Sequence, residues 1–353
     1  MSDVIPAVVL GASGYVGGEL LRLIAGHPRF ELAAAVSDSR AGSSIGDTFG
    51  HLSQAMRGVS FVARDAWLHQ AEPGSNLALF SAAPHGASAG AIAKALGAAD
   101  KRGIEVHVVD SSADFRYASQ SEYEAVYNIE HGAPELLDRF VCVLPEHVDT
   151  VEAPHVGHPG CFATATLLAT VPLIGSGLTE AEVYVSGITG STGSGRDPKV
   201  GTHHPERNSN LYAYKPLAHR HAPEMAGLTT AAAGRETRVH FVPHSGPFAR
   251  GIHVTVHAKT VSDVSETQLR DVYEQAYSNT PFVEVVQATP RLKDVVASNM
   301  CHISVASDGE SVAVLCAIDN LVKGAAGGAM QWMNRLWSLP ETTGLTTPAP
   351  GWT

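Results

Sequence analysis

The chain has 353 residues, of which 35 are Asp or Glu and 24 are Lys or Arg, so its formal net charge is −11 with histidine neutral. A hydrophobic fraction of 44% and a charged fraction of only 17% exclude a disordered chain, and the length predicts two domains. The acidic balance argues against partners such as nucleic acid or an anionic membrane surface. The sequence has no apolar run of about 18 residues and no signal-peptide pattern, so we expect a cytoplasmic protein.

Strand and helix patterns alternate in the first part of the chain. Short apolar runs predict strands, and apolar residues at helical spacing predict helices between them. The predicted strands cover 5–10, 31–37, 77–82, 104–112 and 141–146, with helices after the first strand and at 87–99. Strands that alternate with helices are typical of a doubly wound parallel sheet, so we predict a Rossmann-type α/β domain over 1–157.

Longer, alternating strands follow from about residue 158. They cover 182–189, 238–243, 251–259, 300–307 and 311–319, with one helix at 264–278. In the strand 251–259 the apolar residues share one face, and two histidines and a threonine share the other, which is typical of antiparallel sheets. We predict an α+β catalytic and dimerisation domain with a mostly antiparallel sheet over 158–319. Its half-polar face is a candidate subunit interface.

The last helix pattern, at 324–337, begins with Ala and Gly and therefore carries few bulky side chains. We expect this helix to return to the first domain, which the segment 320–353 would complete. The tail that begins at Leu339 has no core pattern, and we expect it to be a loose strap or disordered.

A glycine-rich turn joins the first strand to the first helix. Its G-x-x-G-x-x-G spacing lets a pyrophosphate approach the backbone at a helix N-terminus, which predicts a dinucleotide site at Gly11, Ser13, Gly14, Tyr15, Val16 and Gly17. A short-chain reductase would share such a turn, but none of the nine tyrosines has a lysine four residues later. Beyond the second strand, Ser37, Ser39 and Arg40 favour the 2′-phosphate of NADP, whereas Asp38 would favour NAD.

Cys161 is the cysteine best placed for chemistry. A Pro-Gly break precedes it and an apolar helical run follows it, so we expect Cys161 at a helix N-terminus, where the helix dipole lowers the pKa of a thiol. The other three cysteines lie in apolar strand patterns and are predicted to be packing residues: Cys142, Cys301 and Cys316.

A thiolate beside a nicotinamide predicts hydride transfer to or from a thioester, and this chemistry needs a proton shuttle. His219 and His221 are candidates for the shuttle, with Glu224 as a carboxylate that could orient them. A polar surface face is an alternative interpretation of the two histidines. A zinc site would need further ligands, with His203 and His204 as the nearest, so we predict no metal.

Ten short segments carry a resemblance to a known family. The most specific are Pro-Gly-Cys at 159–161 and Asn-Leu-Val-Lys-Gly-Ala-Ala-Gly at 320–327. The others lie at 11–17, 83–86, 110–116, 144–146, 190–196, 219–224, 243–244 and 250–251. Together they cover nearly the whole chain, which resembles the N-acetyl-gamma-glutamyl-phosphate reductases, relatives of aspartate-semialdehyde dehydrogenase.

The resemblance implies that NADPH reduces an acyl phosphate to a semialdehyde and phosphate, a step of arginine biosynthesis, in a homodimer or homotetramer. It implies that Cys161 is the nucleophile and that His219 is the acid/base residue, with His221 as the alternative. The resemblance implies that Ser194, Gly195 and Asn320 bind the cofactor. Asn320 is expected at the nicotinamide carboxamide. The positions implied for the substrate are Arg116, Arg196 and Glu224.

Two considerations leave the substrate open. Beyond Arg196 itself, residues 196–215 match no motif of the family, although they follow the predicted substrate loop, the glycine-rich segment 190–196 that the resemblance places against the cofactor and substrate. A related enzyme of lysine synthesis handles an acyl chain one methylene longer, and a methylene is worth only about 1–3 kcal/mol in a pocket. Other thioester-forming dehydrogenases and a non-catalytic NADP-binding sensor are the further alternatives.

Overall fold

The computed structural model describes residues 4–67 and 74–352. The chain divides into two compact units, each built from more than one segment. Unit 1 comprises Met1–Val143, Thr150–His158 and Ala325–Thr346, and unit 2 comprises Leu144–Asp149, Pro159–Gly324 and Thr347–Thr353. The domain ranges derived from the sequence, 1–157 with 320–353 and 158–319, stay a prediction.

Unit 1 is built on a six-stranded parallel sheet. Its strands are β1 (Ile5–Leu10), β2 (Phe30–Val36), β3 (Asn76–Ser81), β4 (Glu105–Asp110), β5 (Phe140–Val141) and β6 (His155–Gly157). They are ordered β2-β1-β3-β4-β6-β5. The helices of this part of the chain are α1 (Tyr15–Ala25), α2 (Ile45–Thr48), α3 (Ser88–Asp100) and α4 (Gln120–Tyr127).

The centre of this sheet is buried on both faces. Nearly every residue of β1 and β3 is buried, which is typical of parallel strands covered by helices on each side. The strand order reverses between β1 and β3, as in doubly wound sheets that bind ligands at the carboxyl ends of their strands. The predicted Rossmann-type fold of this part of the chain is confirmed.

The strand predicted at 141–146 is wrong. The strand β5 ends at Val141, and a short 3-10 helix occupies Pro145–His147. Pro145 has no N–H to offer a neighbouring strand, and its fixed φ suits the first turn of a helix. Cys142 therefore lies just beyond the strand and is only half-buried.

Unit 2 is built on a seven-stranded mixed sheet. Its strands are β7 (Thr179–Thr189), β8 (Tyr212–Ala213), β9 (Arg238–Ser245), β10 (Ile252–Val264), β11 (Val283–Val285), β12 (Cys301–Ser307) and β13 (Gly309–Ile318). They are ordered β11-β12-β13-β10-β7-β9-β8. The β7–β9 and β11–β12 pairs are parallel and the other four pairs are antiparallel, so the predicted mostly antiparallel sheet is confirmed.

Four helices accompany this sheet: α5 (Cys161–Gly175), α6 (His204–Arg207), α7 (His221–Ala233) and α8 (Glu266–Ala276). The helix α5 is apolar and buried around its circumference, and it packs on β7, β10 and β13 as well as on α7 and α8. Pro172 lies inside α5 and removes the N–H that the Leu168 carbonyl would otherwise accept. The Tyr277 hydroxyl donates to that carbonyl at 2.7 Å, which satisfies the buried oxygen.

The C-terminal helix begins later than the sequence pattern suggests. A π-helical turn over Val322–Ala326 precedes α9 (Gly327–Leu336), which packs on α1 and β4 within unit 1. The prediction of a loose tail is wrong for residues 341–345. The Asn334 amide donates to the carbonyls of Glu341 and Thr343 at 3.2 and 2.9 Å, and Leu345 is buried. Thr353, the last residue of the predicted tail, lies outside the described residues.

A buried carboxylate pair organises the loops that follow β3 and β4. Asp110 accepts hydrogen bonds from the hydroxyls of Ser88 and Ser112 at 2.7 and 2.5 Å. Asp114 accepts the backbone N–H groups of Gly86 and Ala89 at 2.8 and 2.9 Å, at the start of α3. Burial and the nearby charge of Asp114 raise the pKa of Asp110 to about 6, although the hydroxyl donors oppose this shift.

We therefore expect Asp110→Asn to change the pH dependence of stability. The folded chain binds this proton more tightly than the unfolded chain, so the Asp110 contribution lowers stability as pH rises from about 4 to about 6. The Asp110→Asn variant should gain stability relative to the wild type over this range, by at most about 3 kcal/mol. Urea unfolding at pH 4.5 and pH 7.5 measures the difference.

Asp308→Asn is the matched control. Hydrogen bonds from Ser311 lower the pKa of the exposed Asp308, so its variant should show the opposite trend or none. A stability difference between Asp110→Asn and the wild type that is the same at both pH values would contradict the buried-carboxylate interpretation.

Candidate active site

Cys161 is the first residue of α5, so the predicted helix start is confirmed. Gly160 precedes it in an extended conformation, and the first turn of the helix contains no acidic residue. The thiol is half-buried and reduced. An N-terminal position places a developing negative charge on sulfur at the positive end of the helix dipole, with backbone N–H groups that have no partner within the helix nearby.

Glu224 holds the turn before the cysteine. It lies in the first turn of α7, is 2% exposed, and accepts the Gly160 N–H on its Oε1 at 2.7 Å. This bond fixes the backbone immediately before Cys161. The predicted role of Glu224 as a substrate ligand stays a prediction, whereas its contact with Gly160 is a positioning contact that sequence spacing did not reveal.

The two candidate histidines lie side by side in unit 2. Their ring centroids are 4.7 Å apart, and the His219 ring also contacts the edges of Phe162, Tyr214 and Phe241. Burial, with the positive charges of Arg220 and Lys215, lowers the pKa of His219 to about 4. His219 is therefore neutral at pH 7.

The hydrogen bond of His219 defines its tautomer. Its Nδ1 accepts the backbone N–H of His221 at 3.2 Å, so the neutral ring carries its proton on Nε2. In this form Nε2 is a hydrogen-bond donor and not a base. His221 is 8% exposed and is the first residue of α7. Tyr214, whose ring centroid is 5.6 Å from that of His219, joins this group although no sequence motif singles it out.

The segment 319–324 passes directly beside Cys161. A Cβ atom placed on Gly324 would lie 2.8 Å from the Cβ of Cys161, so only glycine allows this approach. Asp319 anchors the segment, because its buried carboxylate accepts the backbone N–H groups of Leu321 and Val322 and pairs with Arg250 at 3.0 Å. The backbone of this segment thus forms one wall of the space around the thiol.

Asn320 ties two loops of unit 2 together. Its Oδ1 accepts the Gly251 N–H at 2.7 Å, and its Nδ2 donates to the Thr192 hydroxyl at 3.0 Å. An amide nitrogen carries two protons, so one donor is left for a ligand such as a carboxamide oxygen. The predicted residues Ser194 and Gly195 follow Thr192 on an exposed turn, and Arg196 after them is half-buried.

Unit 1 contains the predicted dinucleotide site. Gly11 has φ +69°, and a Cβ there would lie 2.5 Å from the Ala82 carbonyl oxygen, so the turn requires glycine. Gly14 precedes α1, which begins with Tyr15 and Val16 and has no side-chain cap, so its first N–H groups are available to an anion. A Cβ on Gly14 would meet only the Gly11 oxygen, at 3.5 Å, which leaves the backbone open to a phosphate.

The residues predicted to bind the ribose gather at the end of β2. The Ser13 hydroxyl lies 2.8 Å from that of Ser37, and the Ser39 hydroxyl lies 3.4 Å from it. Arg40 is exposed one residue further on. Asp38 points elsewhere, because its carboxylate pairs with the Arg64 guanidinium at 2.8 Å and also accepts the Arg64 N–H. The carboxylate that would oppose a 2′-phosphate is therefore paired with a cation.

Arg116 is directed at the backbone. It is 7% exposed and belongs to unit 1, where its Nε donates to the His158 carbonyl at 2.9 Å and its Nη2 donates to the Ser111 carbonyl at 3.0 Å. The His158 carbonyl lies three residues before Cys161 in the sequence. The predicted substrate role of Arg116 stays a prediction, and the contacts shown fix the chain that leads to the cysteine.

Residues 4–67 and 74–352 show neither a metal site nor a membrane-spanning helix. No group of three or more His, Cys, Asp and Glu side chains there is arranged to hold a metal ion. Within the same residues, no helix has the length and apolar character needed to cross a membrane.

Two family models match the chain. One, described as "Semialdehyde dehydrogenase, NAD binding domain", matches residues 6–150, and the other, "Semialdehyde dehydrogenase, dimerisation domain", matches residues 161–320. Aspartate semialdehyde dehydrogenase II from Vibrio cholerae has the same fold, with a TM-score of 0.68 at 15% identity over 96% of this chain and 99% of that chain. The aspartate semialdehyde dehydrogenase of Candida albicans, solved with NADP, gives a TM-score of 0.67 at 16% identity over 95% of this chain and 98% of that chain. Fold and site together define an oxidoreductase of the semialdehyde dehydrogenase class.

Curated relatives define the family more narrowly. The N-acetyl-gamma-glutamyl-phosphate reductase of Azotobacter vinelandii is 41% identical over 97% of this chain and 98% of its own length. The enzyme of the same name from Methanosarcina barkeri is 38% identical over 98% of this chain and 99% of its own length. The chain belongs to the N-acetyl-gamma-glutamyl-phosphate reductase family, and the resemblance inferred from the sequence motifs is confirmed.

Proposed function

We propose that the protein catalyses the NADPH-dependent reduction of N-acetyl-gamma-glutamyl phosphate to N-acetylglutamate semialdehyde and phosphate. The observation that carries the proposal is Cys161 at the first position of a buried helix. Glu224 holds the turn before it, and the two histidines lie at the start of the helix that carries Glu224. This is the arrangement that acyl transfer to a thiolate requires. Membership of the family indicates which acyl phosphate is the substrate. The overall reaction consumes one proton in addition to NADPH and the acyl phosphate.

Cys161 begins the reaction. Its thiolate attacks the acyl carbon, the bond from that carbon to the phosphate oxygen breaks, and a thioester forms as inorganic phosphate leaves. Backbone N–H groups at the start of α5 are the nearest fixed donors for the negative charge that develops on the carbonyl oxygen. Glu224 keeps these groups in place through the Gly160 N–H.

NADP(H) fits the residues at the glycine turn. Gly11 and Gly14 let a pyrophosphate approach the backbone, and Ser37, Ser39 and Arg40 offer donors to a 2′-phosphate. Pairing of Asp38 with Arg64 weakens the repulsion that would otherwise favour NAD. When bound, the reduced cofactor supplies a hydride to the thioester carbon.

The histidines divide the remaining proton chemistry. His219, neutral with its proton on Nε2, donates a hydrogen bond to the reacting oxygen and stabilises its charge. His221 is then the residue that exchanges a proton with the thiohemiacetal oxygen as the bond to sulfur breaks and the aldehyde leaves. This assignment differs from the one that the family resemblance implied, in which His219 was the acid/base residue and His221 the alternative.

An assay of NADPH oxidation tests the proposed function. With N-acetyl-gamma-glutamyl phosphate the wild type should oxidise NADPH much faster than NADH. It should also prefer this substrate to the aminoadipyl analogue. Cys161→Ser should lose at least about a thousandfold in kcat, because a serine hydroxyl is not ionised at neutral pH. Cys142→Ser is the control and should keep wild-type activity. Normal turnover by Cys161→Ser would exclude the covalent step.

Comparison of His219→Asn with His221→Asn tests the division of roles. The His219→Asn variant keeps an N–H donor at this position, so we expect a loss of about 10–100-fold in kcat. The His221→Asn variant cannot exchange the proton, so its loss should be about 100–10,000-fold and the pH dependence of kcat should flatten. A larger loss of kcat in His219→Asn than in His221→Asn would identify His219 as the proton shuttle.

The protein contains the dimerisation domain of its family, and we propose that two copies associate through the half-polar face of the unit 2 sheet. On that face Tyr184 is 55% exposed, its ring stacks on His240 at 4.8 Å, and His257 pairs with it across the strands. An exposed aromatic residue flanked by polar side chains is typical of an interface core.

Sedimentation equilibrium tests this interface. Tyr184→Glu should shift the wild-type oligomer toward monomer, because it puts like charges near a two-fold axis. Val4→Glu, at a 50% exposed residue of unit 1, should leave the mass unchanged. An unchanged oligomer in the Tyr184 variant would place the interface elsewhere.

A further inference from the structure

Arg207 is a buried cation whose partners are all neutral. It ends α6, within the segment 196–215 that the sequence left unassigned, and only 7% of it is exposed. Its Nη1 donates to the Ser245 hydroxyl at 2.7 Å, and its Nη2 reaches the Phe248 carbonyl at 3.4 Å. In the described part of the chain, no acceptor lies within hydrogen-bond distance of its buried Nε.

Among the described residues of unit 2, the other buried lysine or arginine is Lys323, which pairs with the Glu146 carboxylate at 2.5 Å. A buried charge without a counter-charge is costly, so a ligand that supplies the counter-charge would stabilise it. The contacts of Arg207 are neutral, in contrast to that of Lys323, and this difference points to an anionic ligand.

The unsatisfied edge of the guanidinium has the shape that a carboxylate accepts. Nε and Nη2 lie on one side of the planar group and present two parallel N–H bonds, of which Nε has no acceptor among the described residues and Nη2 has only the long contact. Nη1 on the other side is fixed by Ser245. The guanidinium is therefore held through Nη1, and the edge formed by Nε and Nη2 is the part that can bind a ligand.

The position of Arg207 connects it to the proposed reaction site. The Phe248 carbonyl that it contacts also accepts the Ser191 N–H at 3.0 Å, at the start of the predicted substrate loop. Tyr214 is within electrostatic reach of both the nucleophile and Arg207: burial and the charge of Cys161 raise the pKa of Tyr214, and the Arg220 and Arg207 guanidiniums lower it. The Tyr214 ring also touches His219.

We propose that Arg207 binds the α-carboxylate of the N-acetylglutamyl substrate. This inference rests on the proposed function. A single guanidinium balances the one charge of a carboxylate, whereas a phosphate carries nearly two charges at neutral pH and is matched by several cations. The α-carboxylate is also the anionic group that substrate and product share, so a contact with it can persist through the whole reaction.

The test uses the reverse reaction, in which N-acetylglutamate semialdehyde, NADP and phosphate are supplied to the full-length protein. The semialdehyde is compared with its α-carboxamide analogue. For the wild type, kcat/KM should be about 100-fold lower with the carboxamide. Arg207→Met should lose about the same factor with the carboxylate substrate, mainly through KM, and little more with the carboxamide. The KM for phosphate should not change.

Arg235→Met is the matched control. Arg235 also donates to backbone carbonyls, those of Ile174 and Thr179, so its loss should lower the thermal stability and leave both kinetic constants unchanged. Arg207→Met should not lower the thermal stability, since it removes a buried charge that lacks a counter-charge. If Arg207→Met does not fold, Arg207→Lys keeps the charge without the fork and should still lose most of the preference for the carboxylate.

Four results separate the outcomes. A wild type that does not oxidise the semialdehyde contradicts the proposed function, whatever the variants do. An active wild type with equal losses for both substrates in the Arg207 variants overturns the carboxylate contact. No loss in either variant overturns it as well. A raised KM for phosphate would assign the guanidinium to the phosphate group and would also overturn the proposal.

Discussion

The hydrogen bond from the Gly160 N–H to Glu224 is the contact on which the site depends. It joins the starts of two helices, because Gly160 immediately precedes α5 and Glu224 lies in the first turn of α7. A buried carboxylate that accepts a backbone N–H is a strong, directed interaction, and losing one partner leaves the other unsatisfied at a cost of about 1–3 kcal/mol. The cysteine and the histidine pair are therefore positioned relative to each other through the backbone.

In the proposed mechanism, charge stabilisation and proton transfer belong to different groups. The Glu224 carboxylate accepts the N–H of the residue before Cys161, at the end of α5 where the helix dipole favours negative charge on the thiol. Burial and the charges of Arg220 and Lys215 lower the pKa of His219 and keep the ring neutral at pH 7. A neutral imidazole with its proton fixed on Nε2 stabilises an oxyanion without competing for its proton, so the proton itself can come from a second residue.

The sequence predicted the features that depend on local order. Gly11 and Gly14 in a strand-turn-helix pattern, and Cys161 after a Pro-Gly break, follow from conformational rules that act over a few residues. The contacts of Glu224, Arg116 and Arg207 join residues 38–64 positions apart, and no local pattern reports them. The strand predicted at 141–146 was wrong for the complementary reason. Its residues are apolar, but the sheet pairing of β5 ends at Val141, and Pro145, which has no N–H for a neighbouring strand, begins a 3-10 helix.

The acidic charge of the chain constrains how it can recognise its ligands. With a net charge of −11, long-range attraction does not draw a phosphate or a carboxylate to this protein. Recognition must then come from donors that act at contact distance and are oriented in advance. The uncapped first turns of α1 and α5 are such donors, and so is a guanidinium anchored at one end by Ser245. These groups are fixed by the fold and do not belong to a positively charged surface. The binding of anionic substrates should therefore depend only weakly on ionic strength, because screening ions do not reach buried contacts.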